Sequence, residues 1–452
     1  MVISVQIDPK IHVGYFAIMN GPNFQPVTVI RDQLYDRIEI SRPELALINT
    51  EAFQRLERIQ QLGFASRIWP GARHTRFEHS LGVLHLARLA VTQLRRQSGT
   101  RGRSPHGDRA FIAAALLHDI GHYPYSHAIE ELGDPVQPHE LIGRRVITEG
   151  PVAEILRDQW EVDPALVAGF IDPEAAQAEN DPVLIALLSG PLDIDKLDYL
   201  PRDARACGVP YGGVDTARLI EALSSEVIDG AERLVIQEKG ISPAHSLINA
   251  RQEMFDNVYW HHTNRACMVM LLRAVQEGIL GGQIDPDQLA TVDDFTMLQL
   301  LDNAAMPNIS RNLCQSLRRR VLHKRAIELS SRGGAMYDQV GELFHDARRR
   351  RGVERSMSAA ITGDPEDGAI LIDIPKPEKW RTNVTVVFAR PPVGFDRHMS
   401  WQDVAGMTDA DLKRYETHRR LIRIVVRADL REQVRQSWEP VLESALAAPM
   451  IS

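Results

Sequence analysis

The sequence predicts a mainly α-helical protein with a short β-containing segment at its N-terminal end and a small α+β region at its C-terminal end. Apolar residues recur at helical spacing from about Glu44 to Leu280. Short β-rich runs precede that stretch, and others follow it. A chain of 452 residues exceeds the size at which one hydrophobic core stops growing. We therefore predict an N-terminal segment at 1–43, a catalytic domain at 44–290 and a C-terminal region at 291–452.

The composition is that of an ordinary globular protein, with 44% apolar and 25% charged residues. No apolar run approaches the roughly 18 to 20 residues that span a bilayer, and the N-terminus has no basic region followed by an apolar stretch. We therefore expect a cytoplasmic protein without membrane contact. The net charge of −8 does not favour nucleic acid as a partner. The three scattered cysteines, Cys207, Cys267 and Cys314, are expected to be structural thiols.

In the N-terminal segment, Val2–Ile7 and Val27–Ile30 are predicted strands. In the central stretch, apolar residues fall at three-residue steps at Phe53, Leu56, Ile59 and Leu62, and at two- to five-residue steps at Leu81, Leu84, Leu86, Leu89 and Leu94. Asp108–His118 has apolar residues on every side, which predicts a buried central helix. This helix would deliver His118 and Asp119 at its C-terminal end.

The C-terminal region begins with a predicted basic helix, SLRRRVLHKRAIEL, followed by a charged Gly/Ser/Arg-rich stretch. Three predicted strands follow in the segments AILIDIP, NVTVVFA and LIRIVVRA. No repeat of 20 to 50 residues is visible, which excludes a solenoid or propeller.

Eight of the sixteen histidines fall in the 66 residues from His74 to His139. The motifs RHTRFEHSLGVLHLA, LLHDIGHYPYSHAIEEL, PHE and PLDIDKLDYLPRD follow one another through this part of the helical body and beyond it. Together they resemble the HD-domain phosphohydrolases, and within them the deoxynucleoside triphosphate triphosphohydrolases, the group of the mammalian SAM-and-HD-domain protein and its bacterial relatives. The resemblance covers about Val29 to Arg325 and implies an HD-domain helical core.

The family's metal ligands carry over to His79, His118, Asp119 and Asp195. Imidazoles and carboxylates suit a divalent ion such as Mn, Mg, Fe, Zn or Ni, and four protein ligands leave positions for water and a phosphate oxygen. The alternative is that each residue is structural: His79 near a helix start, Asp119 in a turn, Asp195 an acid in a first helical turn.

The family's proton-transfer residues imply catalytic roles for His127 and Glu130, with His122 and His139 beside them. A carboxylate raises the pKa of a neighbouring imidazole, so His127 held by Glu130 could protonate a leaving oxygen. Glu130 stands where mammalian members have Asp. For His122 and His139, a structural role is the alternative.

Helical spacing places Asp195, Tyr199 and Asp203 on one face, with Lys196 beside them. The resemblance implies that Lys196 binds phosphate, Tyr199 packs against deoxyribose and Asp203 binds the 3′-hydroxyl. Pro201 lacks an amide donor and predicts a kink that would displace Asp203.

Further substrate contacts implied by the resemblance are Gln61, Leu62, Arg76 and His261. Gln61 would contact the 3′-hydroxyl, Leu62 would exclude a 2′-hydroxyl, and Arg76 would bind phosphate. Leu62 also fits a plain core position. Asn257 stands where a phosphate-binding Arg is expected.

We therefore expect a metal-dependent enzyme that hydrolyses a deoxynucleoside triphosphate to deoxynucleoside and inorganic triphosphate, and the family implies a homo-oligomer, tetramer or hexamer. One alternative is another HD phosphohydrolase, acting on a nucleoside monophosphate or cyclic nucleotide. A second is a nucleotide-binding or nucleic-acid-associated regulator with a vestigial site, whose contacts would be Arg318–Arg320 and Arg348–Arg351.

In the mammalian members, an acidic residue and an Arg before the metal motif bind a guanine activator. Asn49 and Glu57 occupy these two positions here. Replacing a carboxylate by an amide, and a cation by an anion, predicts activity that does not require GTP. The alternative is that Asn49 is only a helix N-cap.

Overall fold

The computed structural model describes residues 24–98, 104–376, 383–408, 410–411 and 420–448. The predicted strand Val2–Ile7 lies outside these ranges. The predicted strand at Val27–Ile30 is confirmed as β1, Pro26–Asp32, which pairs antiparallel with β2, Asp36–Ser41. Across the described ranges, no helix is both long and apolar enough to cross a bilayer.

The central body is helical, as the apolar spacing predicted. Its helices are α1 Arg42–Ile48, α2 Glu51–Gln54, α3 Arg76–Ser98, α4 Pro105–Leu117, α5 His139–Thr148, α6 Gly150–Asp158, α7 Pro164–Ile171, α8 Pro182–Ser189, α9 Ile194–Cys207, α10 Thr216–Ala222, α11 Ile241–Met254 and α12 His262–Leu280. Short 3-10 turns at Arg55–Arg58, Gly63–Arg67 and Ser126–Leu132 and a π-helical turn at Phe255–Tyr259 connect them.

The predicted buried helix is α4. Ser104 caps its N-terminus by accepting a hydrogen bond from the Gly107 amide, and Pro105 begins the helix without needing a donor. Its apolar residues from Ala110 to Leu117 are all buried, because α3 and α7 cover it. Helix α3 also packs against α9. This packing brings the N-terminal turns of α3 and α9 to the C-terminal end of α4.

Pro201 does not interrupt α9, which continues through Asp203 to Cys207. A proline at this position leaves the carbonyl of Leu197 without its usual helical donor. The Thr216 hydroxyl, at the start of α10, lies 3.4 Å from that carbonyl oxygen and donates to it. A neighbouring helix therefore supplies the donor that the proline lacks.

A hairpin interrupts the helical body where only helices were predicted. Strands β3, Leu223–Ile228, and β4, Ala231–Gln237, pair antiparallel around Asp229 and Gly230. Both turn residues have positive φ, 53° and 78°, as a two-residue hairpin turn requires. Two later strands, β7 Thr385–Val387 and β8 His398–Ser400, extend the sheet in the order β3-β4-β7-β8.

The C-terminal region contains α13 Asp294–Leu301, α14 Asn308–Arg318, β5 Lys324–Leu329, α15 Ala335–Glu342, α16 Ala347–Thr362, β6 Ile370–Asp373, α17 Trp401–Ala405, β9 Ile422–Val426 and α18 Arg431–Ala447. The three predicted strands are confirmed as β6, β7 and β9. An antiparallel sheet with the order β5-β9-β6 forms the floor of a separate apolar cluster covered by α16 and α18.

The predicted basic helix across SLRRRVLHKRAIEL is wrong beyond its first three residues. Helix α14 ends at Arg318, and Arg320 has a positive φ of 58°. The residues after it form β5, where Ala326 and Leu329 are buried against the C-terminal cluster. Pairing with β9 therefore overrides the helical propensity of the Arg- and Leu-rich segment.

Candidate metal centre and active-site cavity

Three helix ends meet at the predicted metal ligands. Helix α3 contributes His79 from its first turn, the end of α4 contributes His118 and Asp119, and the first turn of α9 contributes Asp195. The Nε2 atoms of His79 and His118 lie 3.2 Å apart, and His79 Nε2 lies 2.9 Å from Asp195 Oδ1. The structure thus brings together side chains that are far apart in sequence.

The donor atoms of this cluster fit a divalent metal ion. Ligand atoms of His79, His118 and Asp195 all lie within 4.8 Å of one another. Metal–nitrogen bonds of about 2.1 Å place adjacent ligand atoms about 3.0 to 3.4 Å apart. The two imidazole rings are 5.1 Å apart at an interplanar angle of 78°, so they converge through their nitrogens rather than stack. This geometry is typical of two imidazoles that share one ion.

Asp119 lies beside the two imidazoles, and other side chains hold its carboxylate. Its carboxylate oxygens lie 3.4 Å from His118 Nε2 and 3.7 Å from His79 Nε2. Arg76 donates to Oδ2 over 2.6 Å, and His122 Nε2 lies 3.1 Å from Oδ1. Burial alone would raise the pKa of the Asp119 carboxyl, but Arg76 and the neighbouring imidazoles hold it well below its usual range. Asp119 is therefore a carboxylate at neutral pH, as a metal ligand must be.

A buried carboxylate that the sequence analysis did not single out orients His79. Asp198 Oδ2 lies 2.8 Å from His79 Nδ1, and Asp198 is fully buried. Arg202 donates to both of its oxygens, over 2.8 and 3.0 Å, and Tyr35 donates through its hydroxyl over 2.8 Å. Burial opposes the charge, but Arg202 and His79 lower the pKa of Asp198 below its usual range. A carboxylate that holds Nδ1–H leaves Nε2 free to bind a metal.

This arrangement depends on the glycine at position 82 in α3. A Cβ there would lie 1.9 Å from Asp198 Oδ1 and 2.5 Å from an Arg202 guanidinium nitrogen. Any side chain at position 82 would thus separate α3 from α9. The sequence could have predicted the ion pair of Asp198 with Arg202, because the two residues are spaced i and i+4 on the helix that carries Asp195.

A second cluster contains the four predicted proton-transfer residues, His122, His127, Glu130 and His139. Glu130 Oε1 lies 2.7 Å from His139 Nδ1, and Oε2 lies 3.5 Å from His127 Nδ1. His122 is buried, and burial together with Arg76 lowers its pKa to about 3, so it is a neutral imidazole.

These four side chains also bring possible metal-ligating atoms within 4.8 Å, but their ring geometry differs from that of the first cluster. The centres of the His122 and His139 rings lie 3.8 Å apart with an interplanar angle of 30°, so the rings lie face to face rather than pointing at a common centre. Such stacked imidazoles around one carboxylate favour a hydrogen-bonded network over a second ion. Burial would raise the pKa of Glu130, but its hydrogen bonds to the three imidazoles lower it.

His127 is the member of this network that faces open space. Its side chain is 64% exposed, whereas that of Glu130 is 17% exposed. The protein packed around the cavity disfavours a charged imidazole, but the hydrogen bond and charge of Glu130 raise the pKa of His127 above its usual value. A protonated His127 therefore fits a proton donor to a bound ligand.

Both clusters, except for the buried His79, line one cavity of about 670 Å³. Five predicted substrate contacts line it as well, namely Gln61, Leu62, Arg76, Tyr199 and Asp203. Asp203 is already engaged, since Oδ1 lies 2.7 Å from His74 Nε2 and Oδ2 accepts from the Tyr259 hydroxyl over 2.7 Å.

Two predicted substrate contacts do not line this cavity. Lys196 forms an ion pair with Asp193 and lies 3.2 Å from the Gly190 carbonyl oxygen. His261 caps α12, and its ring packs edge-on against Trp69. Asn257, which occupies the position that the sequence analysis assigned to a phosphate-binding Arg, is exposed and also lies off the cavity lining.

The C-terminal region contributes to the same cavity through Phe344, Lys376 and Arg420. It is anchored to the proton-transfer segment through Arg265, which donates to both oxygens of Glu131 over 2.9 Å and to Asp373 Oδ1 over 2.7 and 2.9 Å. The guanidinium also lies 4.3 Å from the centre of the Trp260 ring. One buried cation thus joins the helical body to strand β6.

Comparison with known proteins agrees with this geometry. Residues 76–178 match the HD domain, and residues 214–443, half of the chain, match the HD associated region. The chain belongs to the HD-domain phosphohydrolase family and resembles its deoxynucleoside triphosphate triphosphohydrolases.

The chain is also similar to individual proteins over much of its length. An uncharacterised protein of Methanocaldococcus jannaschii is 34% identical over 305 residues, which cover 67% of this chain and 60% of that protein. The deoxynucleoside triphosphate triphosphohydrolase SAMHD1 homologue of Dictyostelium discoideum is 29% identical over 66% of this chain and 59% of its own length. The chain thus spans less than two thirds of the length of these relatives. A crystal structure of a hypothetical protein from Aquifex aeolicus has the same fold, with a TM-score of 0.69, 24% identity, and coverage of 91% of this chain and all of that one.

Proposed function

We propose that this protein hydrolyses deoxynucleoside triphosphates to deoxynucleoside and inorganic triphosphate. The observation that carries the proposal is that one cavity brings together three kinds of side chain. They are the metal-type cluster of His79, His118, Asp119 and Asp195, of which all but His79 line the cavity, the exposed His127, and the side chains expected at the sugar. The relatives named as deoxynucleoside triphosphate triphosphohydrolases support the substrate class.

In the proposed reaction, water attacks the α-phosphorus and the bond from that phosphorus to the 5′ oxygen breaks. His79, His118, Asp119 and Asp195 would hold a divalent ion, which would supply Lewis-acid charge at the phosphate when bound. Glu130 contacts Nδ1 of His127, which leaves Nε2 as the nitrogen that donates a proton to the departing 5′ oxygen.

The charge of the triphosphate must be balanced within the cavity. Arg76 lines it beside Asp119, and Arg251, Lys376 and Arg420 line it from other elements. These cations take the role predicted for Lys196, which lies off the cavity, and for the Arg that Asn257 replaces. Pre-positioned charges of this kind supply much of the rate in phosphoryl transfer.

The sugar is expected to lie against Leu62 and Tyr199. Leu62 is half-buried and has no polar atom on its side chain, so a ribose 2′-hydroxyl beside it would lose its hydrogen bonds to water. The proposal therefore includes discrimination against ribonucleotides.

Product analysis tests the proposal. The purified protein is incubated with each dNTP and each rNTP in Mg or Mn, and the phosphate product is identified by ion-exchange chromatography. Inorganic triphosphate from dNTPs, absent with Asp195→Ala, is the expected result. Release of pyrophosphate or monophosphate, or turnover of a nucleoside monophosphate or cyclic nucleotide instead, would assign the cavity to another HD phosphohydrolase activity.

A further inference from the structure

Three neutral amide side chains line the cavity with a buried polar atom that has no hydrogen-bond partner. These atoms are Gln61 Oε1, Gln252 Nε2 and Asn264 Oδ1. Among the described residues, no other Asn or Gln has such an atom. A buried polar group without a partner is costly, so three amides of this kind around one cavity indicate groups that await a ligand.

Gln252 and Asn264 lie outside every role assigned so far. Their exposed fractions are only 4% and 5%. Gln252 lies near the end of α11, and Asn264 lies in the first turn of α12. They therefore approach the cavity from two different helices, on either side of the π-helical turn at Phe255–Tyr259.

That turn gives the cavity an aromatic wall. The residues at positions i, i+3, i+4 and i+7 of this stretch all line the cavity, namely Gln252, Phe255, Asp256 and Tyr259. Trp260 continues the wall and stacks on Phe255 with an angle of 5° between the rings. Flat aromatic faces are the usual partners of nucleobases, and π-helical turns are frequent at functional sites.

The wall extends away from the metal-type cluster. The ring of Tyr199 lies 6.4 Å from that of His79, and the ring of Tyr259 lies 6.2 Å from that of Tyr199. A nucleotide with its phosphate at the cluster and its sugar at Tyr199 would extend its base along this wall.

We propose that Gln252 and Asn264 bind the hydrogen-bonding edge of the substrate's base and set base preference. The inference rests on the proposed function, because it takes the ligand to be a nucleotide. Neutral amides provide both a donor and an acceptor without charge, which matches a base edge better than a phosphate. A site that must hydrogen-bond its ligand discriminates strongly against a ligand that leaves these groups unpaired.

The test compares kcat/KM for the four dNTPs between the wild type, Gln252→Leu and Asn264→Leu. Gln433→Leu is the matched control, because Gln433 is exposed on α18 and donates only to the Ile361 carbonyl. We expect the wild type to prefer some bases over others by at least about tenfold, and each cavity variant to change those ratios by about 5- to 100-fold. Metal content should stay at the wild-type value in all variants.

Unchanged ratios in both cavity variants would overturn the inference while leaving the proposed function intact. Binding of the four deoxynucleosides to the metal-loaded protein, measured by calorimetry, separates the two ideas because it needs no hydrolysis. Base-dependent binding that Gln252→Leu removes supports the inference even if no dNTP is hydrolysed, whereas equal or absent binding together with no hydrolysis overturns both. If Gln252→Leu does not fold, Gln252→Glu keeps the size and exchanges the donor for an acceptor, and an unchanged base order in that variant also overturns the inference.

Discussion

At the scale of single residues, the four expected metal ligands differ in how many contacts they make with the rest of the protein. His79 and Asp119 have buried partners, Asp198 and Arg76, at 2.8 and 2.6 Å. Asp195 is 32% exposed and contacts the two imidazoles themselves. Its carboxylate is therefore the ligand whose loss should affect the ion most and the fold least.

We predict that Asp195→Ala abolishes metal retention and dNTP turnover while the protein stays folded. The variant removes a ligand and a negative charge that offsets the ion. Metal content by mass spectrometry and secondary structure by circular dichroism check this. Asp215→Ala is the control, since Asp215 caps α10 away from the cavity and should keep its metal. Wild-type metal content in Asp195→Ala would contradict the four-ligand assignment.

His127→Ala should keep the metal and lose turnover by about 100- to 10,000-fold, the range that general acid catalysis typically supplies. Its exposed ring pairs with Glu130, which is not one of the four expected ligands, so the variant should retain the ion. Single-turnover rates and metal content are measured together, with His106→Ala, an exposed histidine on α4, as the control. Normal turnover in His127→Ala would place the proton donor elsewhere.

At the scale of elements, the close approach of α3 and α9 positions His79 and Asp195 in the candidate metal centre. The ion pair of Asp198 with Arg202 lies in the space that a side chain at position 82 would fill. A helical glycine usually costs stability relative to alanine, so its presence here has a packing reason.

We predict opposite effects for two helical glycines. Gly82→Ala should destabilise the fold by about 1 to 3 kcal/mol and weaken metal binding, because its Cβ collides with the carboxylate that orients His79. Gly352→Ala in α16 has open space around its Cβ and should stabilise by about 0.5 to 1 kcal/mol. Denaturant unfolding and metal titration measure both. Equal effects of the two substitutions would show that the contact with Asp198 does not matter.

At the scale of the whole molecule, the positions aligned with a guanine-activator site are exposed and carry no cation. Asn49 ends α1, and Thr50 rather than Asn49 caps α2, so the alternative of an N-cap at Asn49 is wrong. Glu57 is exposed nearby. An activator's phosphates would meet the negative charge of Glu57 where the mammalian members have an Arg.

We therefore predict dNTP hydrolysis that does not require GTP, and assembly into a tetramer or hexamer without it. Turnover with and without GTP, alongside the mass in solution from light scattering, checks both. An enzyme that is silent alone and activated by micromolar GTP would contradict the expected effect of Asn49 and Glu57. In that case, Glu57→Arg should change activation by GTP little. If Glu57 prevents GTP from binding, the same substitution should instead create GTP sensitivity.

The sequence by itself determined the helical class, the central helix α4 and the motif residues of the candidate metal centre. These depend on local periodicity and on residue types whose chemistry is known from the sequence alone. The hairpin β3–β4 was also encoded locally, because Asp229-Gly230 is a strong turn signal between two β-rich runs. The hairpin was not predicted because the segments on both sides of it have helical periodicity.

Only the tertiary structure decided which side chains share the cavity. Lys196 points to Asp193 instead, α9 continues past Pro201 because Thr216 donates to Leu197, and β5 replaces a predicted helix through pairing with β9. Each outcome depends on a partner distant in sequence, and propensity within one segment contains no information about such partners. The buried amides of Gln252 and Asn264 became visible for the same reason, since an unpaired polar atom is a property of packing.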